Sequence, residues 1–180
     1  MTERLLDAIE RCRLRFEDLE VGDTFRTAAR TVTEADVVNF AGLSADYNAL
    51  HTDAEFAATT PHGGRIAHGM LVLAIASGLS TRLPLMKLLE PSILGLANLE
   101  CRFTKPVKIG DTIHVVLSIA EKTPGRKPDR GTVAMRRTAV NQRGETVMES
   151  TWKIVVRTRE GAGWRPRRHG SPTARPTASS

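Results

Sequence analysis

A carboxylate and an imidazole stand close together in one short segment, Ser44-Ala-Asp-Tyr-Asn-Ala-Leu-His51. The spacing of Asp46 and His51 does not suit one face of a helix, so a tight loop has to bring them together. An imidazole titrates near neutral pH, and burial can raise the pKa of a carboxyl group. The segment therefore predicts a general acid and base carried on a loop.

A second polar motif, His68-Gly69-Met70, stands at the start of an apolar stretch. The first amides of a helix lack partners, and glycine lets a ligand approach the backbone because it has no side chain. A carbonyl oxygen held at the Gly69 amide would be polarised as in an oxyanion hole. Together with an acid–base pair and a water molecule, this suits addition across an activated double bond.

Each of these residues also has a purely structural interpretation. Asp46, Asn48 and His51 could form an Asx turn that carries a surface histidine. His68 could pack or hydrogen-bond locally at the start of a helix. The spacing alone leaves both interpretations open.

Two further polar positions have structural interpretations of the same kind. Ser77, in the middle of the apolar stretch, is expected to bond the Leu73 carbonyl four residues earlier. The stretch Gly63-Gly64-Arg65 could cradle a phosphate, but no strand precedes it, so we interpret it as a hinge.

The elements that must position these residues follow from capping signals and hydrophobic periodicity. Thr33 and Asp36 form a capping-box pattern that predicts the start of a helix. The same pattern in Thr52-Asp-Ala-Glu55 predicts a short helix that Pro61 stops, and 44–50 is predicted to be a loop. The apolar stretch predicts a helix over 67–83 that is hydrophobic all round and should be buried all round.

Strands are predicted where apolar and polar residues alternate. A candidate strand over 23–31 precedes the helices. Four longer strands follow them, over 93–103, 112–119, 132–141 and 145–157, and a turn at Gly144 joins the last two into a hairpin. No long helix separates the later strands, so they should be antiparallel neighbours. The predicted fold class is α+β, a curved antiparallel β-sheet wrapped around one long central helix.

The length of 180 residues suits one domain, and 41% hydrophobic residues can form a core. The chain is predicted to divide into an N-terminal helical extension (1–15), the folded domain (16–158) and a basic tail (159–180). The tail is rich in Pro, Gly and Ser and is predicted to be disordered.

The formal charge of +6 lies mostly at the C-terminal end of the chain. From Arg157 onward there are six arginines and one acidic residue, Glu160, which gives a net charge of +5. Aromatic residues make up 4% of the chain, so nucleic acid is not an expected partner. The longest uncharged window, 66–81, is shorter than the roughly 20 residues of a membrane span. Cys12 and Cys101 lack metal-ligand spacing. We expect a soluble, cytoplasmic protein without a signal peptide or metal site.

The segment from Phe40 to His51 resembles the signature of (R)-specific enoyl-CoA hydratases and MaoC-like dehydratases. In that signature an aromatic residue precedes Ser-Gly-Asp-x-Asn-Pro-aliphatic-His. Residues 64–71 are similar to the start of the family's central helix, and 99–111 to the strand and turn that follow. The resemblance covers roughly 16–158, and two motifs in the same order make it specific.

The chain departs from the signature at two positions. Ala45 stands where the family has glycine, so a positive φ there would be strained. Ala49 stands where the family has proline, which removes a rigid constraint before His51. Both replacements are small and retain the acid and the base, so we expect a working site whose substrate preference is altered.

The resemblance implies the hot-dog fold and hydration of trans-2-enoyl thioesters to (R)-3-hydroxyacyl thioesters, a reversible lyase reaction. Asp46 and His51 would be the catalytic pair, and which of them is the base stays open because coupled groups share their titration. Asn48 would orient the loop, the Gly69 amide would bind the thioester oxygen, and Ser77 would assist. No cofactor is implied beyond the coenzyme A of the substrate.

Coenzyme A carries phosphates, so cationic side chains should line its path; Arg65, Arg82, Lys105 and Lys108 are the candidates. The thioester could equally be carried by an acyl-carrier protein. The family works as dimers or double hot dogs, so we expect a homodimer or a higher homo-oligomer. The alternatives are an acyl-thioester hydrolase of the same fold and the catalytic subunit of a heteromeric dehydratase.

Overall fold

The computed structural model describes residues 12–160. A 3-10 turn at Phe16–Asp18 leads into two short strands, β1 (Thr24–Arg26) and β2 (Arg30–Thr31). Helices occupy the middle of the described chain: α1 (Glu34–Ser44), α2 (Ala49–Thr52), α3 (Ala54–Ala58), α4 (Gly69–Thr81) and α5 (Pro84–Leu89). After a second 3-10 turn come the long strands: β3 (Ile93–Phe103), β4 (Thr112–Pro124), β5 (Arg130–Asn141) and β6 (Thr146–Arg157).

The strands form one antiparallel sheet in the order β1-β4-β5-β6-β3, and β2 also pairs with β4. The inner face of this sheet packs on α4, whose side chains share a core cluster with those of β4, β5 and β6. The helix is held there by the burial of four side chains, those of Val72, Ile75, Ala76 and Leu79. Burial of each large apolar side chain contributes about 1.5–3 kcal/mol to the free energy of folding. The α+β architecture predicted from the sequence is confirmed.

The first residue of α4 touches the end of β3. A Cβ atom on Gly69 would lie 2.9 Å from the ring of Phe103, closer than packed atoms approach. Glycine lets the helix begin against this ring, whereas a side chain at this position would push the Phe103 ring aside. The sequence analysis explained Gly69 by the approach of a ligand, and the structure adds this packing reason.

The prediction that α4 is buried on every side is wrong for the single chain. Met70 is 60% exposed, and Ala74, Gly78 and Thr81 are exposed along the same side of the helix. The sheet and the loops cover only the opposite side, because one layer can cover only one face of a helix.

The outer edge of the sheet is also uncovered. β3 is paired on one side only, with β6. Leu96 and Phe103 on this strand are 50% and 46% exposed. A long edge strand with exposed apolar residues is an open site for pairing with another chain.

The helix starts agree with the capping signals in one case and not in the other. Thr33 and Asp36 form both bonds of the predicted capping box at α1. The second cap is Asp53 rather than Thr52, because the Asp53 carboxylate accepts a 2.9 Å bond from the Phe56 amide. The predicted loop over 44–50 already contains the start of α2.

At the two ends, the predicted extension and tail lie mostly outside the described residues, which exclude 1–11 and 161–180. Residues 12–15 are not helical. Arg159, assigned to the tail, forms an ion pair with Asp18, and its amide donates to Glu17 at 3.2 Å. The chain is thus tied to the domain at this point, while the division into three parts stays a prediction.

No single helix within 12–160 has the length and apolar character to cross a membrane. The pair formed by α4 and the segment Pro84–Ser92 meets the length and composition criteria only when taken together, and it is bent by 77°.

The β5–β6 hairpin is held by hydrogen bonds that converge on Glu145. Asn141 and Arg143 donate to its Oε2 at 2.8 and 2.9 Å, and Lys105 donates to its Oε1 at 2.6 Å. Gly144 supplies the positive φ of 77° that the turn needs. The hydrogen bonds from Asn141, Lys105 and Arg143 lower the pKa of Glu145 to about 2.

Acid should therefore weaken this hairpin through Glu145. Its pKa is lower in the folded state, so its stabilisation is present above the unfolded value of 4.5 and disappears as pH falls towards 2. We expect Glu145→Gln to flatten the loss of unfolding free energy between pH 5 and pH 2, measured by urea denaturation. Glu55→Gln, at an exposed residue, is the control. Identical pH dependence in Glu145→Gln and the unaltered protein would contradict the assignment.

Candidate active site

The loop that carries Asp46 leaves α1 through a left-handed residue. Ala45 has φ 58° and ψ 19°, the strained conformation expected from the sequence. Ser44 fastens the loop to the helix, because its hydroxyl donates to the Phe40 carbonyl at 2.7 Å and accepts from the Asp46 amide at 3.2 Å. The end of α1 thus fixes where Asp46 lies.

Two side chains stabilise the next turn by bonding amides two residues further on. Asp46 Oδ1 accepts from the Asn48 amide at 3.3 Å, and Asn48 Oδ1 accepts from the Leu50 amide at 3.0 Å. The Asx-turn interpretation therefore describes these two residues correctly. Asn48 is the N-cap of α2, and this short helix carries His51.

His51 is half-buried rather than a surface histidine. Its Nδ1 lies 2.8 Å from the Ile66 carbonyl, and since a carbonyl only accepts, Nδ1 must carry the proton. The neutral ring therefore presents Nε2 as an unprotonated nitrogen. The structure fixes the tautomer that a general base requires.

His68, the N-cap of α4, is 2% exposed and joins the helix to the loop that carries Asp46. Its Nε2 donates to the Asp46 carbonyl at 3.0 Å. Its ring is stacked on that of His51, with centroids 3.8 Å apart, and contacts Phe40 with centroids 5.0 Å apart. His68 is packed and hydrogen-bonded at the start of the helix, as its structural interpretation expects, but the bond is not local, because Asp46 lies 22 residues earlier in the chain.

Asp46, His51 and His68 bring one ligand atom each within 4.8 Å of one another, so their suitability for a metal has to be considered. Structural zinc takes four ligands and catalytic zinc three plus water. His51 Nδ1 and His68 Nε2 are engaged by carbonyls, and His68 Nδ1 is buried with no partner among 12–160. The Asp46 carboxylate, His51 Nε2 and His68 Nδ1 remain as donors, fewer than the four that a structural zinc takes, and Asp46 and His51 can equally hold a water molecule.

A cavity of about 320 Å³ lies beside this cluster. His51 and Gly69 lie at its wall, together with Phe103 and apolar residues such as Val72 and Val107. No side chain caps α4, so the first amides of the helix are available there. The cavity thus combines an imidazole, helix amides and an apolar wall.

The predicted cationic residues are placed differently from one another. Lys105 lines the cavity and pairs with Glu145 at 2.6 Å. Arg65 forms a two-bond ion pair with Glu34, at 2.8 and 2.6 Å. Arg82 lies at the far end of α4, about 20 Å from Gly69 at 1.5 Å per residue.

Ser77 is not brought to the cluster. It lies eight residues along α4 from Gly69, which corresponds to about 12 Å. The expected bond from Ser77 to the Leu73 carbonyl is not among the hydrogen bonds of residues 12–160; in α4 it is Ser80 that donates to a carbonyl four residues earlier, that of Ala76, at 2.8 Å. His62 and Phe103 also line the cavity. The sequence analysis missed both, because neither belongs to a motif.

A sheet packed around one helix, with an Asp–His pair at that helix's first turn, defines a hot-dog protein with a hydratase type of site. The sequence-family model of the MaoC-like domain matches residues 17–141 of this chain. The chain belongs to this MaoC-like family.

Relatives agree with this assignment. The (R)-specific enoyl-CoA hydratase of Rhodospirillum rubrum is 34% identical over 145 residues, which are 80% of this chain and 92% of that protein. Protein MaoC of Klebsiella aerogenes is 41% identical over 117 residues, 65% of this chain but 34% of that protein. The crystal structure of the MaoC-like dehydratase from R. rubrum is 38% identical with a TM-score of 0.72, covering 81% of this chain and 98% of that one.

The strain at Ala45 leads to a prediction about stability. A left-handed φ costs a residue with a Cβ about 1–2 kcal/mol. Glycine adopts this φ without strain, which stabilises the folded state, but it also makes the unfolded chain more flexible, which offsets part of that stabilisation. We expect Ala45→Gly to raise the free energy of unfolding by about 0.5–1 kcal/mol in urea denaturation. Ala74→Gly, on the exposed side of α4, should lower it by about 1 kcal/mol. Equal destabilisation by both would contradict the strain.

Proposed function

We propose that the protein catalyses reversible hydration of trans-2-enoyl thioesters to (R)-3-hydroxyacyl thioesters, with acyl-CoA as the thioester. The observation that carries the proposal is that Asp46 lies close to His51, whose Nε2 is left unprotonated, and that both stand beside the uncapped first turn at Gly69. The name of the R. rubrum relative supports both the reaction and its stereochemistry.

In the proposed mechanism the thioester oxygen accepts a hydrogen bond from the Gly69 amide, which makes C3 electrophilic. Asp46 and His51 hold one water molecule. As its oxygen bonds to C3, one of the pair takes its proton, and the electrons of the double bond move to the thioester oxygen as an enolate. The proton taken from the water passes to the other group of the pair, which delivers it to C2 and restores the carbonyl. Both groups act from one side, so addition is syn.

His68 acts in this mechanism through the backbone. Its bond to the Asp46 carbonyl holds the loop against α4, and its stacked ring restricts the orientation of His51. Positioning of this kind matters because proton transfer requires the reacting groups to be within hydrogen-bonding reach.

For the phosphates of coenzyme A, Lys105 is the best placed of the predicted cations, since it lines the cavity. Arg65 and Lys108 lie on segments beside it, joined by the bridge between Ile66 and Lys108. Arg82 lies at the opposite end of α4 from Gly69 and does not line this cavity. A carrier-protein thioester, like a cytoplasmic location, stays a prediction.

We further propose that two copies of the chain associate. The exposed side of α4 at Met70 and the unpaired edge of β3 at Leu96 and Phe103 are both apolar. A second copy would cover the helix and could extend the sheet. The same surfaces would also serve a heteromeric dehydratase, in which this chain would be the catalytic half.

Hydration is tested by following loss of the enoyl-thioester absorbance of crotonyl-CoA, with the product resolved on a chiral column. We expect (R)-3-hydroxybutyryl-CoA, and a fall in kcat of about 10²–10⁴-fold for Asp46→Asn and for His51→Ala. The matched control is Asp53→Asn, which should retain activity because asparagine also caps helices. Circular dichroism verifies that each variant is folded.

Other outcomes are distinguishable. Release of free thiol without hydration would identify the acyl-thioester hydrolase. Hydration that survives both Asp46→Asn and His51→Ala would contradict the assigned residues. Absence of hydration across straight and branched enoyl-CoA substrates of increasing length would contradict the reaction for the chain on its own.

Association is tested by size-exclusion chromatography with light scattering. We expect a dimer or a higher homo-oligomer that Met70→Glu dissociates, because the substitution would bury a charge against the partner's apolar surface. Val21→Glu, at an exposed residue near β1, should leave the mass unchanged. A monomer at all concentrations would contradict the proposal.

A further inference from the structure

His62 is a half-buried histidine at the wall of the cavity beside the proposed catalytic pair. It lies between the two segments that resemble the family signature, 40–51 and 64–71, so neither motif assigns it a role. The proposed mechanism does not use it either. Its function therefore has to be inferred from its own position and contacts.

A tight turn after α3 fixes the backbone of His62. The His62 amide donates to the Thr60 hydroxyl at 3.3 Å, and the Gly63 amide donates to the Thr60 carbonyl at 3.0 Å. The Gly64 amide donates to the Ala57 carbonyl at 3.1 Å, which joins the turn to the helix. Gly63 and Gly64 have φ values of 63° and 149°, which glycine adopts without strain. His62 is thus held in place although it belongs to a loop.

The polar side chains at the cavity wall differ in whether the protein already engages them. His51 Nδ1 is bonded to a backbone carbonyl, the Thr104 hydroxyl donates to another at 2.6 Å, and the Lys105 ammonium pairs with a carboxylate at 2.6 Å. The ring of His62 has no hydrogen bond or ion pair within 12–160, and neither of its nitrogens is buried. The His62 ring is therefore free to bond a ligand in this cavity.

The cavity has an exposed mouth and a buried floor. Residues 104–106 line it and are exposed, whereas the floor consists of four buried apolar residues, Ala67, Val72, Val107 and Val147. Because 104–106 follow the last residue of β3, access does not depend on the edge of the sheet. A thioester bound at Gly69 leads its coenzyme out through this mouth, since a group with several phosphates cannot be buried.

The size of the cavity indicates which part of the coenzyme lies inside it. A volume of about 320 Å³ holds about ten non-hydrogen atoms at about 30 Å³ each. A crotonyl thioester reaches about this number at the first amide of the pantetheine arm, which follows the sulfur after two methylene groups. The amide nitrogen is four bonds, or about 5 Å, from the thioester carbon. The first amide should therefore lie inside, with the rest of the arm outside.

We propose that His62 binds the substrate through a hydrogen bond to the first amide of the pantetheine arm, and so helps to hold the thioester at Gly69. This inference rests on the proposed hydration of acyl-CoA and assigns a binding residue for its coenzyme. An imidazole has a donor and an acceptor, and an amide group has the same two.

The kinetic consequence follows from the place of this bond. The first amide takes no part in the reaction, so the bond is equally strong with the bound substrate and with the transition state. Its loss should raise KM and leave kcat nearly unchanged. One hydrogen bond between neutral groups corresponds to about three- to tenfold in affinity.

The experiment measures hydration of crotonyl-CoA by the full chain, unaltered and as His62→Phe and His62→Gln. Phenylalanine retains a planar ring but no hydrogen-bonding group, whereas glutamine retains a donor and an acceptor. His114→Phe is the matched control, because His114 alternates with the buried residues of β4 and faces the outer side of the sheet.

Two shorter substrates locate the contact along the arm. Crotonyl-N-acetylcysteamine ends directly after the first amide, and the S-butyl thioester of crotonic acid has no amide. Their kcat/KM values are compared for the same four proteins.

We expect His62→Phe to raise KM for crotonyl-CoA about three- to tenfold with little change in kcat. His62→Gln should retain most of the affinity, and His114→Phe should leave both constants unchanged. In His62→Phe, kcat/KM should fall by the same factor for crotonyl-N-acetylcysteamine and should not fall for the S-butyl thioester.

Three results would overturn the contact. One is a lower kcat with unchanged KM, which would indicate a role in the reaction itself. Another is a loss confined to crotonyl-CoA, because the bond would then lie beyond the first amide. The third is an equal loss with the S-butyl thioester, which has no amide to bind.

Failure of the proposed reaction is recognised separately by calorimetry with butyryl-CoA, a saturated ligand that cannot be hydrated. If no thioester is hydrated but His62→Phe weakens butyryl-CoA binding about three- to tenfold, the contact stands and the reaction is wrong. Equal binding by the unaltered protein and His62→Phe, or binding by neither, would falsify the contact.

Discussion

The hydrogen bond from His68 to the Asp46 carbonyl joins the two parts on which the site depends. One part is the first turn of α4, which the burial of its apolar face fixes against the sheet. The other is a short, polar loop with little apolar surface to hold it in place. Because the His68 side of this bond is buried, water competes with it less than at an open surface, and the bond transfers the rigidity of the helix to the loop. The packing of the His51 ring against the same ring extends that constraint to the second side chain of the proposed pair.

Patterns within one element could be read from the sequence, and relations between elements largely could not. The bounds of β3 and the cap at Thr33 were predicted because alternation and capping are local. The partner of His68 lies 22 residues away on another element, so no spacing rule identifies it. Burial of α4 on every side was wrong for a similar reason, since a helix's own composition does not say how many neighbours surround it.

The charged residues show the same limit. Arg65 and Lys105 were predicted to meet phosphates, but Glu34 and Glu145 also attract them in the fold. Arg136 and Arg137 are adjacent and identical in type, yet strand alternation puts one outside the sheet and the other against Trp152. In the sequence this pair is indistinguishable from an ordinary solvated strand surface. Only the register with β6 shows that one cation is inside.

The pairing of β1 and β2 with β4 has a consequence for how the protein folds. Thr24 pairs with Ser118 and Arg30 with Ile113, so α1 to α5, with Asp46 and His51 among them, lie inside a closed loop of the chain. Closing so long a loop costs entropy before its contacts are gained, which slows folding. The β3–β6 pairing closes a shorter loop and the β5–β6 hairpin the shortest. The long strands can therefore pair first. The Asp46 loop then reaches its final geometry when β1 and β2 pair with β4.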